Sequence, residues 1–100
     1  RYTHSDRIQN FATEKSRQII AKATLEPRGL LEALGFQEAV VERVDTTDGL
    51  RMILKTGDVV HLRPSGNAPE LRCYAESDSV ERANQIVVQT LENLQNDSFV

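Results

Sequence analysis

The spacing of apolar residues along the chain predicts three helices. Over residues 13–24 and 27–34, apolar positions recur every three or four residues, and a proline opens the second of these segments. Gly35 follows it as a residue suited to ending a helix. Residues 78–94 show the same spacing, and Asp78 with a glutamate three residues later has the form of a helix cap. The pattern therefore places two helices in the first third of the chain and one near its end.

Four runs with strand-like spacing lie between these helices. Short turns containing glycine join the first three runs, which predicts an antiparallel meander because parallel neighbours need long crossovers. The elements together predict an α+β fold in which a four-stranded antiparallel sheet has helices packed on one face. The predicted strands are residues 38–45, 50–55, 59–63 and 71–76.

Polar segments at both ends predict the limits of a single domain. Residues 1–10 are polar and show no apolar period, so we expect a linker from a preceding domain. Residues 11–95 form the predicted domain, and residues 96–100 a frayed tail. The chain begins at Arg1 rather than Met, so we expect it to be a piece of a larger protein.

The composition is that of a globular protein, with 39% hydrophobic and 27% charged residues. No apolar run approaches the ~18 residues that span a bilayer. The formal net charge of −3 disfavours nucleic acid and anionic membranes as partners, because both select basic faces. Cys73 is the single cysteine, which excludes an internal disulfide framework and fits a reducing compartment. We therefore expect a cytoplasmic protein.

The candidate chemistry lies in residues 63–72, between the third and fourth predicted strands. Two prolines interrupt the sheet there, and a glycine lets a ligand approach the backbone closely. Guanidinium groups, a hydroxyl, an amide and exposed backbone N–H groups suit a dianionic phosphate. The predicted phosphate-binding residues are Arg63, Ser65, Gly66, Asn67 and Arg72.

Simpler interpretations of these residues remain open at this point. Arg63 could pair with Glu70 across the loop, and Arg72 with Glu76 on one strand face. Ser65 and Asn67 are also common turn residues that bond their own backbone. On this view the chain is a non-catalytic α+β interaction module with an incidental anion-binding loop.

Histidine and cysteine offer little further chemistry. His61 lies in an apolar strand, where a half-buried structural role is expected rather than a ligand. Cys73 is expected to be a small core residue. The two histidines and Cys73 lack metal-ligand spacing, so no metal site is predicted.

The loop and its setting resemble the C-terminal domain of the α-D-phosphohexomutases, which include phosphomannomutases and phosphoglucomutases. The family pattern R-P-S-G-T-x-P, followed by a basic strand residue, corresponds here to residues 63–69 and Arg72. Residues 44–51 are similar to the phosphomannomutase branch in particular. Asn67 and Ala68 depart from the Thr and Glu found in many members. The resemblance extends from about residue 2 to residue 94.

This resemblance implies a TATA-box-binding-protein-like fold and a parent enzyme that is a phosphohexomutase. Such enzymes move a phosphoryl group between O1 and O6 of a hexose through a phosphoserine and a bisphosphorylated intermediate. This domain would hold the non-transferred phosphate of mannose or glucose 1- or 6-phosphate and swing as a lid about residues 1–10. The phosphoserine and a Mg²⁺ site would lie in other domains of the same chain. No cofactor and no catalytic residue are therefore expected here, and the fragment alone should be inactive.

Overall fold

The computed structural model describes residues 1–96, which form five strands and three helices. The strands are β1 Tyr2–Ile8, β2 Val41–Asp45, β3 Leu50–Leu54, β4 Val59–Pro64 and β5 Leu71–Ser77. The helices are α1 Thr13–Leu25, α2 Pro27–Ala33 and α3 Val80–Leu94. The predicted helices and strands are confirmed, with ends that differ by at most three residues. Of the predicted frayed tail, residues 97–100 lie outside the described residues.

All strands belong to one sheet in the order β1-β5-β4-β3-β2, and every neighbouring pair is antiparallel. The α+β class and the antiparallel sheet are thus confirmed. The count of four strands is wrong, because β1 adds a fifth at the edge beside β5. The likeness to the TATA-box-binding protein stays a prediction.

Strand β1 lies where an irregular linker was predicted, and that prediction is wrong for residues 2–8. Only Ile8 of this strand is buried, so its side chains carry no apolar alternation. Its ladder with β5 runs without interruption from Tyr2 opposite Ser77 to Ile8 opposite Leu71. Polar and charged side chains are common on edge strands, which need less apolar surface than central ones. A pivot within residues 2–8 would have to break this ladder.

Helix α3 begins one residue later than the predicted cap implies. Ser79, not Asp78, is the N-cap, and its hydroxyl oxygen accepts a hydrogen bond from the Arg82 N–H at 3.0 Å. The predicted start and end of α2 agree with the structure. A proline opens α2, and Gly35 follows its last turn with a φ of +90°, a conformation that favours glycine.

The hydrophobic core lies between the helices and one face of the sheet. Alternate residues of the three central strands point into it, and all three helices contribute to the same cluster. Fully buried core side chains are Leu31, Leu34, Leu50, Met52, Val60, Leu62, Leu71, Cys73, Ile86 and Leu94. Within residues 1–96, all three helices pack on this core face. The side chains on the other face, called the open face, are largely polar. That open face carries the candidate site.

Candidate functional site

The predicted phosphate-binding loop is held at both ends by backbone hydrogen bonds. The Ser65 N–H donates to the Glu70 carbonyl oxygen at 3.0 Å, which closes the loop between β4 and β5. The Phe11 N–H donates to the Pro69 carbonyl oxygen at 2.7 Å and ties the loop to the segment after β1. Both ends of the loop are therefore tied down by the backbone.

Ser65 and Asn67 interact with each other across Gly66. The Asn67 N–H donates to the Ser65 hydroxyl oxygen at 3.3 Å, a long hydrogen bond of the kind found in turns. Gly66 and Asn67 are exposed, and a Cβ built on Gly66 would meet nothing within 4 Å. Gly66 has no positive φ, so the glycine is not required by backbone conformation. The structure leaves open space beside these donors.

Strand register brings three arginines into one row at the loop end of the sheet. Arg7 on β1 lies opposite Arg72 on β5, and Arg72 lies opposite Arg63 on β4. Their side chains are 50%, 44% and 48% exposed. Like charges directly opposite each other on a sheet repel. The row is therefore unfavourable unless negative groups surround it.

Two carboxylates partly neutralise the positive charge of this row of arginines. Arg63 Nε lies 3.2 Å from Asp48 Oδ2, on the turn between β2 and β3. Glu70 is shared: its Oε1 lies 3.6 Å from Arg7 Nε, and its Oε2 lies 3.6 Å from Arg72 Nη2. Three guanidinium groups and these two carboxylates sum to +1. Asp6 lies beside Arg7 and Arg72 in a shared pocket and brings the local sum to zero.

The simpler pairings considered from the sequence are both wrong. Arg63 pairs with Asp48 rather than Glu70, because Asp48 approaches from the neighbouring turn. Arg72 pairs with Glu70 rather than Glu76. Glu76 instead accepts a hydrogen bond from Arg51 Nη2 at 3.2 Å.

Tyr74 and His61 continue the open face beside the arginines. Their ring centroids lie 5.5 Å apart, and His61 Nε2 lies 2.6 Å from the Asp48 carbonyl oxygen. This confirms His61 as a half-buried residue of the sheet. Interaction with the Tyr74 side chain, and then with Glu70, raises the pKa of Arg72 above its ordinary value. A small pocket of about 130 Å³ is lined by Ser5, Asp6, Arg7, Arg72 and Tyr74.

The remaining candidate groups have structural roles. Cys73 is buried, and burial raises the pKa of its thiol to about 12, so it is uncharged and unreactive at neutral pH. The Thr47 N–H donates to Asp45 Oδ1 at 2.9 Å, which lowers the pKa of that carboxyl group and fixes the turn before β3. Within residues 1–96, no group of three or more His, Cys, Asp or Glu side chains could hold a metal ion.

Two residues of the site were missed by sequence reasoning. Arg7 lies in the strand that was predicted as a linker, so nothing placed it beside Arg72. Asp48 lies in a turn, where aspartate is common for backbone reasons and gives no sign of a site. Only the strand register and the position of the turn bring their side chains to the site.

The sequence of the chain matches a known family. Residues 8–93 match the family model described as the phosphoglucomutase/phosphomannomutase C-terminal domain. The chain belongs to this family, as a C-terminal domain of the phosphohexomutase type. No helix within residues 1–96 has the length and apolar character needed to cross a membrane.

Two curated relatives of the chain are phosphomannomutases. A phosphomannomutase from Salmonella muenchen is 43% identical over 94 residues, which are 94% of this chain and 20% of that protein. A phosphomannomutase from Sinorhizobium fredii (strain NBRC 101917 / NGR234) is 39% identical over 89 residues, which are 87% of this chain and 18% of that protein. The chain thus spans about a fifth of the length of these relatives.

Proposed function

We propose that this domain holds the non-transferred phosphate of a hexose phosphate while a parent phosphomannomutase moves a phosphoryl group between O1 and O6. The observation that carries the proposal is the row of half-exposed arginines beside an exposed, donor-rich loop. The three guanidinium groups lie opposite one another on neighbouring strands, so a bound dianion would relieve repulsion within the row. Both relatives are phosphomannomutases, which favours a mannose phosphate.

The proposed phosphate-binding residues would contribute in two ways, by charge and by hydrogen bonds. Arg63 and Arg72 would provide charge, since a guanidinium group meets phosphate oxygens with two parallel N–H groups. Ser65, Gly66 and Asn67 would donate hydrogen bonds from a hydroxyl, a backbone N–H and an amide. The 3.3 Å contact between Asn67 and Ser65 is long enough to be exchanged for a ligand at little cost.

The affinity for phosphate depends mainly on electrostatic attraction. One guanidinium–phosphate contact at ~4 Å is worth roughly 4 kcal/mol per unit charge at an effective dielectric near 20, before desolvation. The arginines are about half exposed, and each already faces a carboxylate, so the net gain is much smaller. We therefore expect affinity in the millimolar range for this domain alone. Moderate affinity also suits an enzyme that must release its substrate and bind it again in the opposite orientation.

Phosphoryl transfer depends largely on positioning and on electrostatic stabilisation. A phosphate held at the far end of the sugar orients the reacting end, and its binding energy can favour closure of the enzyme. Mg²⁺ would stabilise charge on the phosphoryl group being transferred. The phosphoserine would be the donor of that phosphoryl group. Both would come from other domains of the parent chain. We infer no catalytic residue here, and we expect the domain alone to be inactive and the parent to be cytoplasmic.

We expect the chain to bind mannose 6-phosphate and inorganic phosphate with similar millimolar Kd values, and unphosphorylated mannose not at all. The reason is that the proposed contacts are made only to the phosphate. Amide NMR titrations with the three ligands measure these values, and sulfate serves as a control for a general response to anions. Equal shifts with mannose and with mannose 6-phosphate, or no response to any phosphate, would favour an interaction module with an incidental loop instead.

A further inference from the structure

Glu70 holds a carboxylate inside the proposed phosphate site. Its side chain is only 16% exposed, and its backbone is fixed on both sides. The Glu70 carbonyl oxygen accepts from the Ser65 N–H at 3.0 Å, and its own N–H donates to the Ala68 carbonyl oxygen at 2.8 Å. The backbone that carries this carboxylate is therefore held in the loop.

A fixed negative charge at this place opposes the binding of a dianion. In the ligand-free domain the conflict is absent, because Glu70 bridges two arginines through its two oxygens, each at 3.6 Å. A phosphate that pairs with Arg72 removes one of the two cationic partners of the Glu70 carboxylate. Arg7 then remains as the cation beside Glu70.

We propose that Glu70 is an internal counter-ion shared by Arg7 and Arg72, which a phosphate displaces from Arg72. Arg7 is the positioning residue that keeps the carboxylate neutralised when Arg72 turns to the ligand. The inference rests on the proposed phosphate-binding function of the loop and explains why a third arginine stands in the row. It assigns a role to a charged residue of the edge strand β1.

The order of the strands favours this indirect role for Arg7 over direct contact with the phosphate. Ser65 and its neighbours follow β4, whereas Arg7 lies on β1, with β5 between them. Neighbouring strands are about 4.8 Å apart, so Arg7 starts about 10 Å from the β4 side of the site. Glu70 lies between, and Arg7 contacts it already.

A double-mutant cycle on phosphate affinity tests the proposal. Glu70→Gln should lower the Kd for inorganic phosphate about threefold, because the opposing charge is gone, and Arg7→Gln should raise it about threefold. In the Glu70→Gln background, Arg7→Gln should change Kd by clearly less than in the wild type, since Arg7 acts through Glu70. Arg7→Lys should restore most of the wild-type affinity.

Two outcomes would overturn the proposal while leaving phosphate binding intact. One is an equal loss on Arg7→Gln in both backgrounds, which would show direct contact with the ligand. The other is a Glu70→Gln variant that binds no more tightly than the wild type. If neither the wild type nor Glu70→Gln binds phosphate, the proposed function fails and this inference fails with it.

A measurement without ligand checks the shared counter-ion independently. The side-chain Nε–H NMR signals of Arg7 and Arg72 should both move on Glu70→Gln in the absence of phosphate. Glu32→Gln is the matched control, because Glu32 pairs with Arg28 on α2 at 3.8 Å, away from the row. An unchanged Arg7 signal in the Glu70→Gln variant would contradict the shared contact.

Discussion

Replacing Arg63 and Arg72 together with glutamine should abolish detectable phosphate binding while leaving the domain folded. Each charged hydrogen bond lost should weaken binding about tenfold at this half-exposed site, and the pair about a hundredfold. Starting from millimolar affinity, such a loss takes binding beyond the range of an amide titration. The measurement is the Kd for inorganic phosphate, with the free energy of unfolding determined on the same samples.

The stability of this double variant separates function from folding. The two arginines repel each other across β4 and β5, and their carboxylate partners are exposed or shared, so the free energy of unfolding should change by less than about 1 kcal/mol. Arg17→Gln with Arg28→Gln removes the same charge from α1 and α2 and should leave phosphate affinity unchanged. Equal losses in the two double variants would show that only net charge matters and would remove the assigned role of the loop arginines.

Gly49→Ala should cause the largest loss of stability of any single change considered for this domain. Gly49 has a φ of +74°, and an added Cβ would lie 2.2 Å from the Leu62 carbonyl oxygen. The backbone of β4 would have to move, and the alanine would still be strained. We expect a loss of about 3 kcal/mol and a fall in Tm of about 12 °C or more, measured by thermal unfolding.

Gly66→Ala is the matched control for this prediction. Its added Cβ meets nothing within 4 Å and its φ is not positive, so stability should change by less than about 1 kcal/mol. A fall in Tm of similar size in both variants would contradict the explanation. The position of Gly49 also matters for the site, because its neighbour Asp48 provides the carboxylate that faces Arg63.

The helices and strands that the sequence predicted are those in which buried and exposed side chains follow a regular period. Strands β3 and β5 alternate between buried and accessible residues, and α3 has a continuous apolar stripe, so their periods are visible. Strand β1 is held by backbone hydrogen bonds to β5 and buries only Ile8, so its sequence is no different from that of a polar linker. Backbone pairing at a sheet edge leaves little trace in the pattern of side chains.

The same holds for the site: features set by neighbouring residues could be predicted, and contacts between residues far apart in sequence could not. Gly66 and the short polar residues mark a donor-rich loop from residue types alone. The expectation that Pro64 interrupts the sheet is wrong, because Pro64 pairs with Leu71 as the last residue of β4 and the loop begins after it. The ion pairs could not be predicted, because they join residues far apart in sequence through strand register and turn position. Arg63 meets Asp48 from another turn, and Glu70 meets Arg7 from the first strand.

A map of the backbone amides that respond to inorganic phosphate decides whether the exposed loop between the two arginine-bearing strand ends binds a dianion. Binding there predicts the largest and saturable shifts at Ser65, Gly66 and Asn67, with smaller shifts at the adjoining ends of β4 and β5. Shifts centred elsewhere on the domain, or shifts that rise linearly with phosphate and equally at all exposed amides, would contradict it.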